Sequence, residues 1–185
     1  MGDSRNRAAE IVRPLIRVRQ VREFLDVPIT AAEMDAIADA ARWSGSSQNS
    51  QPWRLITIRC ADTIRRIAEA LPPNARALRT APAAVAVVLP DEQGHAVSHA
   101  YDEGRLTERI LIAATFLGLG EGVSWVPTEN RPAIGEILGV PAGRFIRTIV
   151  AIGHPTEDAK KPKDALGQAR LPRSEVVLEE RWPKT

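Results

Sequence analysis

The sequence is poor in cysteine, in aromatic residues and in net charge, and each shortage closes off a class of function. Cys60 is the only cysteine in 185 residues, which excludes an internal disulfide framework and a multi-cysteine metal site. It stands at the end of the strand-like run "WRLITIRC", where a small buried residue is expected. Aromatics make up 4% of the chain, too few for the stacking platforms that carry single-stranded nucleic acid. The 25 basic and 23 acidic residues leave a net charge of +2, so charge alone makes no polyanion binder. No apolar run reaches the length of a membrane span. The opening residues "MGDSRNRAAE" are too polar for a signal peptide, and Asn6 stands where a myristoylation motif wants Ser or Thr. The expectation is a cytoplasmic protein.

What remains is an ordinary soluble composition, 44% hydrophobic and 26% charged. Residues 1–185 fit one domain, a length that buries roughly 70% of its unfolded surface. Apolar residues at helical spacing (Ile11, Leu15, Val18) mark a first helix over residues 7–20, with Pro14 set to delay or kink it. Thr30 and Glu33 form a T-x-x-E capping box ahead of Met34, Ile37 and Ala41. "WRLITIRC" alternates like a strand, "DTIRRIAEAL" reads as a short helix from Asp62, and "AAVAVVLP" reads as a strand buried on both faces. The longest apolar helix runs from Asp102 to Gly118, followed by a short strand in "GVSWV", a helix in "RPAIGEILGV" and a strand in "RFIRTIVAIGHP". Helices and strands do not alternate regularly enough for a doubly wound sheet, so the class is α+β.

Several stretches invite a chemical label. "GLGEGV" has the glycines of a dinucleotide loop, but they close a helix and precede a strand, the reverse of the required context. Gly118 and Gly120 therefore read as glycines that turn the chain after a helix. His95, His99 and Asp102 share a helical spacing, yet the polar residues around them suggest solvated surface histidines. "GSS" lacks the strand-to-helix elbow of a serine nucleophile. Arg19 and Arg22 lie three apart and could grip one anion between them. Arg170 stands far away in a polar tail, ahead of the apolar cluster Val176-Val177-Leu178. The densest polar stretch is "SGSSQNSQPW", seven small polar or glycine residues followed by Gln-Pro-Trp at a helix-to-strand joint.

Read in order, "RQVREF" at Arg19–Phe24, "SSQNSQPW" at Ser46–Trp53, "GLG" at Gly118–Gly120, "AIGHP" at Ala151–Pro155 and "ARLP" at Ala169–Pro172 resemble the FMN-dependent nitroreductase family. The resemblance covers nearly the whole chain, and the polar loop is its most specific part. It implies a nitroreductase-like α+β fold with a central, mostly antiparallel sheet flanked by helices. It further implies a homodimer with shared sites and a tail, residues 156–185, that extends onto the partner subunit. By matching positions, Arg19, Gln20, Arg22 and Arg170 of one subunit hold FMN, with Ser46, Ser47 and Asn49 contributed by the other. No protein residue is expected to be catalytic; the flavin carries the chemistry. NAD(P)H acts as co-substrate, and hydride passes through flavin N5 to a nitroaromatic, quinone or enone by ping-pong exchange. Arg22 is the candidate cation beside flavin N1, stabilising its anionic reduced form. Two alternatives stay open: a ligand-binding protein of the same fold without redox turnover, and a specialised branch such as flavin fragmentation or reductive dehalogenation.

The chain departs from the family pattern at four places. Gln20 replaces a serine, Val18 an arginine, Gln168 a lysine and Gly45 a proline. The lost positive charges are expected to weaken phosphate binding, since one charge-assisted hydrogen bond is worth about 1.5–3 kcal/mol. Arg17 is placed to compensate, and Gly45 is expected to loosen the polar loop.

Overall fold

The fold was analysed in a computed structural model, which describes residues 2–161 and 170–182. Helix α1 (Gly2–Ile16) precedes α2 (Ala31–Arg42), strand β1 (Arg54–Ile58), α3 (Ala61–Glu69) and β2 (Ala83–Pro90). Helix α4 (Ala96–Phe116), β3 (Gly120–Trp125), α5 (Arg131–Leu138) and β4 (Arg144–Gly153) follow, then two single-turn helices, α6 (Glu157–Lys160) and α7 (Arg173–Val176). The four strands form one sheet in the order β1-β2-β4-β3, every pair antiparallel. The α+β expectation and its antiparallel sheet therefore hold. Among the described residues no helix is long and apolar enough to cross a membrane.

Strand β2 shows why a run of small apolar residues sits at the centre. Its side chains alternate between two cores. Val85, Val87 and Leu89 pack with Met34 and Ile37 of α2 and with Leu106 and Ile110 of α4. Ala84, Ala86 and Val88 face the other way, toward Ile64 and Ile67 of α3 and Ile134 of α5. Alanine and valine let helices approach both faces closely, and every residue from Ala83 to Leu89 is buried.

Local signals explain most of the boundaries. Thr30 caps α2 as its spacing suggests: its hydroxyl accepts the Glu33 amide at 3.2 Å, and its own amide donates to Glu33 Oε2 at 2.8 Å. Gly118 turns the chain after α4 with φ +75°. Gly120 does not; it is the first residue of β3, where an added Cβ would lie 2.6 Å from Val21 Cγ2. Pro14 lies inside the last turn of α1, which begins well before residue 7 and ends at Ile16. Cys60 is exposed rather than buried. The strand stops at Ile58, so Cys60 becomes the residue before α3, and the Thr63 hydroxyl and neighbouring backbone amides draw its thiol below the ordinary value.

One irregularity in the sheet has chemical weight. Val87 pairs with Thr148 but Val88 pairs with Ile146, so Arg147 is an extra residue on β4. Such a bulge re-aims side chains. Ile146 and Ile149 keep to the α3/α5 core, while Arg147 and Thr148 both turn toward α4.

Candidate functional site

The segment after α1 lies along the free edge of β3. The Val21 amide donates to the Glu121 carbonyl at 2.7 Å, and Gln20 forms a parallel bridge with Glu121. Gln20 Oε1 accepts the Val123 amide at 3.1 Å and Arg22 Nη1 at 2.9 Å. Gly122 makes this approach possible. A Cβ there would lie 2.4 Å from the Val21 carbonyl oxygen and 2.8 Å from Ala77 Cβ. The half-buried Arg22 guanidinium is thereby fixed at the sheet edge, with N–H groups beyond the one given to Gln20. Arg19 is engaged elsewhere: its Nη atoms donate to the carbonyls of Ala159, Lys160 and Lys161 at the end of α6. Those are carbonyls that a helix end leaves without an internal partner. Arg17 is exposed in the turn after α1.

The polar loop is a built structure. Gln48, Asn49 and Gln51 have φ of 51°, 56° and 47°, a left-handed conformation that costs about 1–3 kcal/mol per non-glycine residue unless its surroundings enforce it. The enforcement is visible. Ser46 Oγ accepts the Gln51 amide at 2.9 Å, the Ser50 amide reaches the Ser47 carbonyl at 2.9 Å, and Gln51 Nε2 donates to Asn49 Oδ1 at 3.3 Å. Arg54 Nη1 closes the far end on the carbonyls of Gln51 and Trp53, at 3.2 and 2.7 Å. Pro52 and Trp53 are buried, and Trp53 joins the α2/α4 core. Because Ser46 Oγ and Asn49 Oδ1 act as acceptors within the loop, the Ser46 hydroxyl proton and Asn49 Nδ2 remain as donors for a ligand.

The loop is fastened to α4. The Ser47 amide donates to both oxygens of Asp102, at 3.1 and 3.0 Å, and Asp102 is only 2% exposed. Arg105 Nη1 lies 3.8 Å from the same carboxylate. His99 is buried too, with its ring stacked 5.6 Å from that of His95. The expectation of solvated histidines fails for His99, because α4 begins at Ala96 and carries it into the protein.

A groove of about 360 Å³ runs between α4 and the β3/β4 edge, lined among others by Gln20, Glu103, Thr107, Trp125 and Arg147. The bulge brings Arg147 against the buried Glu103, with Nε 2.7 Å from Oε2, and between the rings of Trp125 and Phe145. Glu121 points to the same side of β3 as Val123 and Trp125. Burial pushes its carboxyl from the ordinary 4.5 up to about 8, against the opposing hydrogen bond from Thr115. Oε1 lies 3.2 Å from the Thr115 hydroxyl, and Oε2 has no partner among the described residues. Burial thus favours the uncharged form of this acid at neutral pH, with the charge of Arg19 opposing it.

The expected site residues thus fall into two groups. Arg19, Gln20 and Arg22 gather at the β3 edge, and Ser46, Ser47 and Asn49 gather in the loop. Gln20 lines the groove beside β3, and Ser47 lines a separate cavity with Tyr101, Asp102 and Arg105. Arg170 is an exposed residue opening the second described segment, and Gln168 lies outside the described residues. Asp102, Arg105, Glu121 and Arg147 were not singled out from the sequence for the roles they take here. Only Asp102 carried a usable signal, an acid on the core-facing side of an apolar helix, which requires a buried partner.

The donor set fits a mononucleotide such as FMN. The half-buried Arg22 and the Gln20 amide nitrogen offer donors of the kind that phosphate and hydroxyl oxygens accept. The loop adds a hydroxyl and an amide donor, and burial favours the uncharged form of the nearby acid.

Comparison with known proteins gives concordant results. The model of the Nitroreductase family matches residues 17–87. The chain is 32% identical over 190 residues to the 5,6-dimethylbenzimidazole synthase of Rhodospirillum rubrum, covering 83% of this chain and 87% of that protein. It is 27% identical over 187 residues to the NADPH-flavin oxidoreductase of Vibrio harveyi, covering 92% and 74%. Among solved structures, an FMN-dependent nitroreductase of Clostridium difficile superposes with a TM-score of 0.76 at 23% identity, over 88% of this chain and 95% of that one.

Proposed function

The chain belongs to the nitroreductase family, and from that premise we propose that it is an FMN-dependent NAD(P)H oxidoreductase whose sites are shared between two copies of the chain. The observation that carries this reading is that the expected donors sit on two separate parts of the chain: Gln20 lines the groove between α4 and the β3/β4 edge, whereas Ser47 lines a different cavity with Asp102 and Arg105. A ligand held by both groups is therefore assigned to the groove of one copy and the loop of another. FMN held there by Arg22 and Gln20 of one copy and by Ser46, Ser47 and Asn49 of the other would supply the redox chemistry, hydride transfer between NAD(P)H and a nitroaromatic, quinone or enone.

The chain's own residues bind and orient. Arg22, fixed through Gln20 to β3, supplies positive charge at the sheet edge. The Ser46 hydroxyl and Asn49 Nδ2 donate from the partner's loop, with the Ser47 hydroxyl beside them. Arg170 is assigned to the phosphate, and the tail to the partner's surface. Ping-pong exchange of this kind needs no protein nucleophile, and accordingly no residue is assigned a catalytic role.

The identity to a synthase favours a second reading, a specialised branch that uses the same site for a conversion other than general acceptor reduction. The deciding experiment is anaerobic. Purified protein is given FMN, then NADH or NADPH, and the visible flavin band is followed. Bleaching by a nicotinamide and recovery on adding a quinone or nitroaromatic is expected. A bound flavin that never bleaches sinks the reductase reading and leaves the branch or a redox-silent binder; failure to bind FMN at all removes the site assignment.

A further inference from the structure

We propose that Asp102 is a positioning residue for the cofactor site, acting through the polar loop rather than by touching the ligand. The inference rests on the reading above, that Ser46, Ser47 and Asn49 face FMN, and it identifies what sets their geometry.

Three independent features converge on one spot of α4. The Asp102 carboxylate is buried, and both its oxygens accept a single backbone amide, that of Ser47, from 55 residues away. One turn further along, Arg105 stands 3.8 Å from that carboxylate and lays its guanidinium over Gly45. A Cβ on Gly45 would lie 2.2 Å from Arg105 Nη2 and 3.0 Å from its Cζ. The missing side chain of this glycine is the space in which the arginine lies. Immediately after the clamped Ser47 amide come the left-handed Gln48 and Asn49. Such conformations persist only when the surroundings over-determine them. Hydrogen bonds inside the loop tie its residues to one another, whereas Asp102 ties the loop to the helix. A carboxylate is suited to this, because a charged acceptor holds an amide more strongly than a neutral one.

The test uses the full-length chain and two readouts. The first is hydrogen exchange of the peptide spanning residues 44–51 without added flavin. The second is FMN affinity from quenching of flavin fluorescence. Asp102→Ala is expected to raise exchange in the loop while the β2 and β4 peptides stay protected, and to weaken FMN binding on the order of 10-fold. Asp102→Asn keeps one acceptor oxygen for the Ser47 amide and is expected to return within about threefold of the parent. Should Asp102→Ala not fold, Gly45→Ala and Arg105→Ala read the same clamp from its solvent side. Each is expected to cost about threefold in affinity, and the double variant no more than either single one.

Unchanged loop exchange in Asp102→Ala overturns the clamp. FMN affinity that survives Asp102→Ala but falls in Asn49→Ala overturns the positioning role and leaves the loop's contact with FMN standing. Affinity untouched in both removes that contact, and this inference with it. Losses in Gly45→Ala and Arg105→Ala that simply add also count against a shared contact.

Discussion

Glu121 is an acid that burial has moved well out of the ordinary carboxylate range. It is 1% exposed, and its only described hydrogen bond is to Thr115. The folded chain keeps its proton up to about pH 8, whereas the unfolded chain releases it near 4.5. Across that window the folded state binds more protons, so stability falls as pH rises. Glu121→Gln, which cannot ionise, is expected to flatten this slope and to be the more stable form at pH 8. Urea unfolding at pH 5 and pH 8 measures it; an unchanged difference between the two pH values would refute the buried neutral acid. None of this was legible in "GLGEGV". The acid's burial depends on α4 lying over β3, a long-range fact, while the glycines on either side were visible and their reason was not. Ser46, Ser47 and Asn49 were singled out through the resemblance of their loop to a family motif, but the carboxylate that holds the loop lies 55 residues downstream.

Between elements, the decisive contact is the seating of residues 19–22 on β3. Gly122 faces backbone as well as side chain, so a Cβ meets the Val21 carbonyl at 2.4 Å and cannot be relieved by a rotamer change. Gly122→Ala is expected to destabilise the fold by about 1–3 kcal/mol and to lower FMN affinity by unseating Gln20 and Arg22. Thermal melts and flavin titration measure the two effects, and wild-type values in both would show that the segment is not held by this contact. At this scale the sequence was informative. The capping box, the buried strand and the helix before "GLG" follow from spacing and side-chain size alone. The exceptions are instructive. Helix α4 begins six residues before the expected Asp102, because polar Ser98, His99 and Tyr101 disguise its first turns. The bulge at Arg147 leaves no local mark, since "RFIRTIVAIG" reads as an unbroken strand and only pairing with β2 reveals the extra residue.

For the whole molecule, the α+β class and the antiparallel sheet were legible because each element's pattern agreed with its neighbours. The quaternary arrangement rests on a different signal. Ile11, Ile16, Trp43, Tyr101, Phe116 and Trp182 are each 64–79% exposed, a large apolar load for a monomer to leave in water. Sedimentation at micromolar concentration is expected to give the mass of two chains. A monomer that still binds FMN tightly would contradict a site completed by a second copy.

The seating of Gln20 and Val21 has one further consequence. An edge strand such as β3 presents unpaired amides and carbonyls that can recruit another chain and seed aggregation. Here the Val21 amide takes up the Glu121 carbonyl and the Gln20 side chain takes up the Val123 amide, and that side chain also anchors Arg22. Protection of the sheet edge and the FMN contact proposed for Gln20 and Arg22 thus draw on the same few residues.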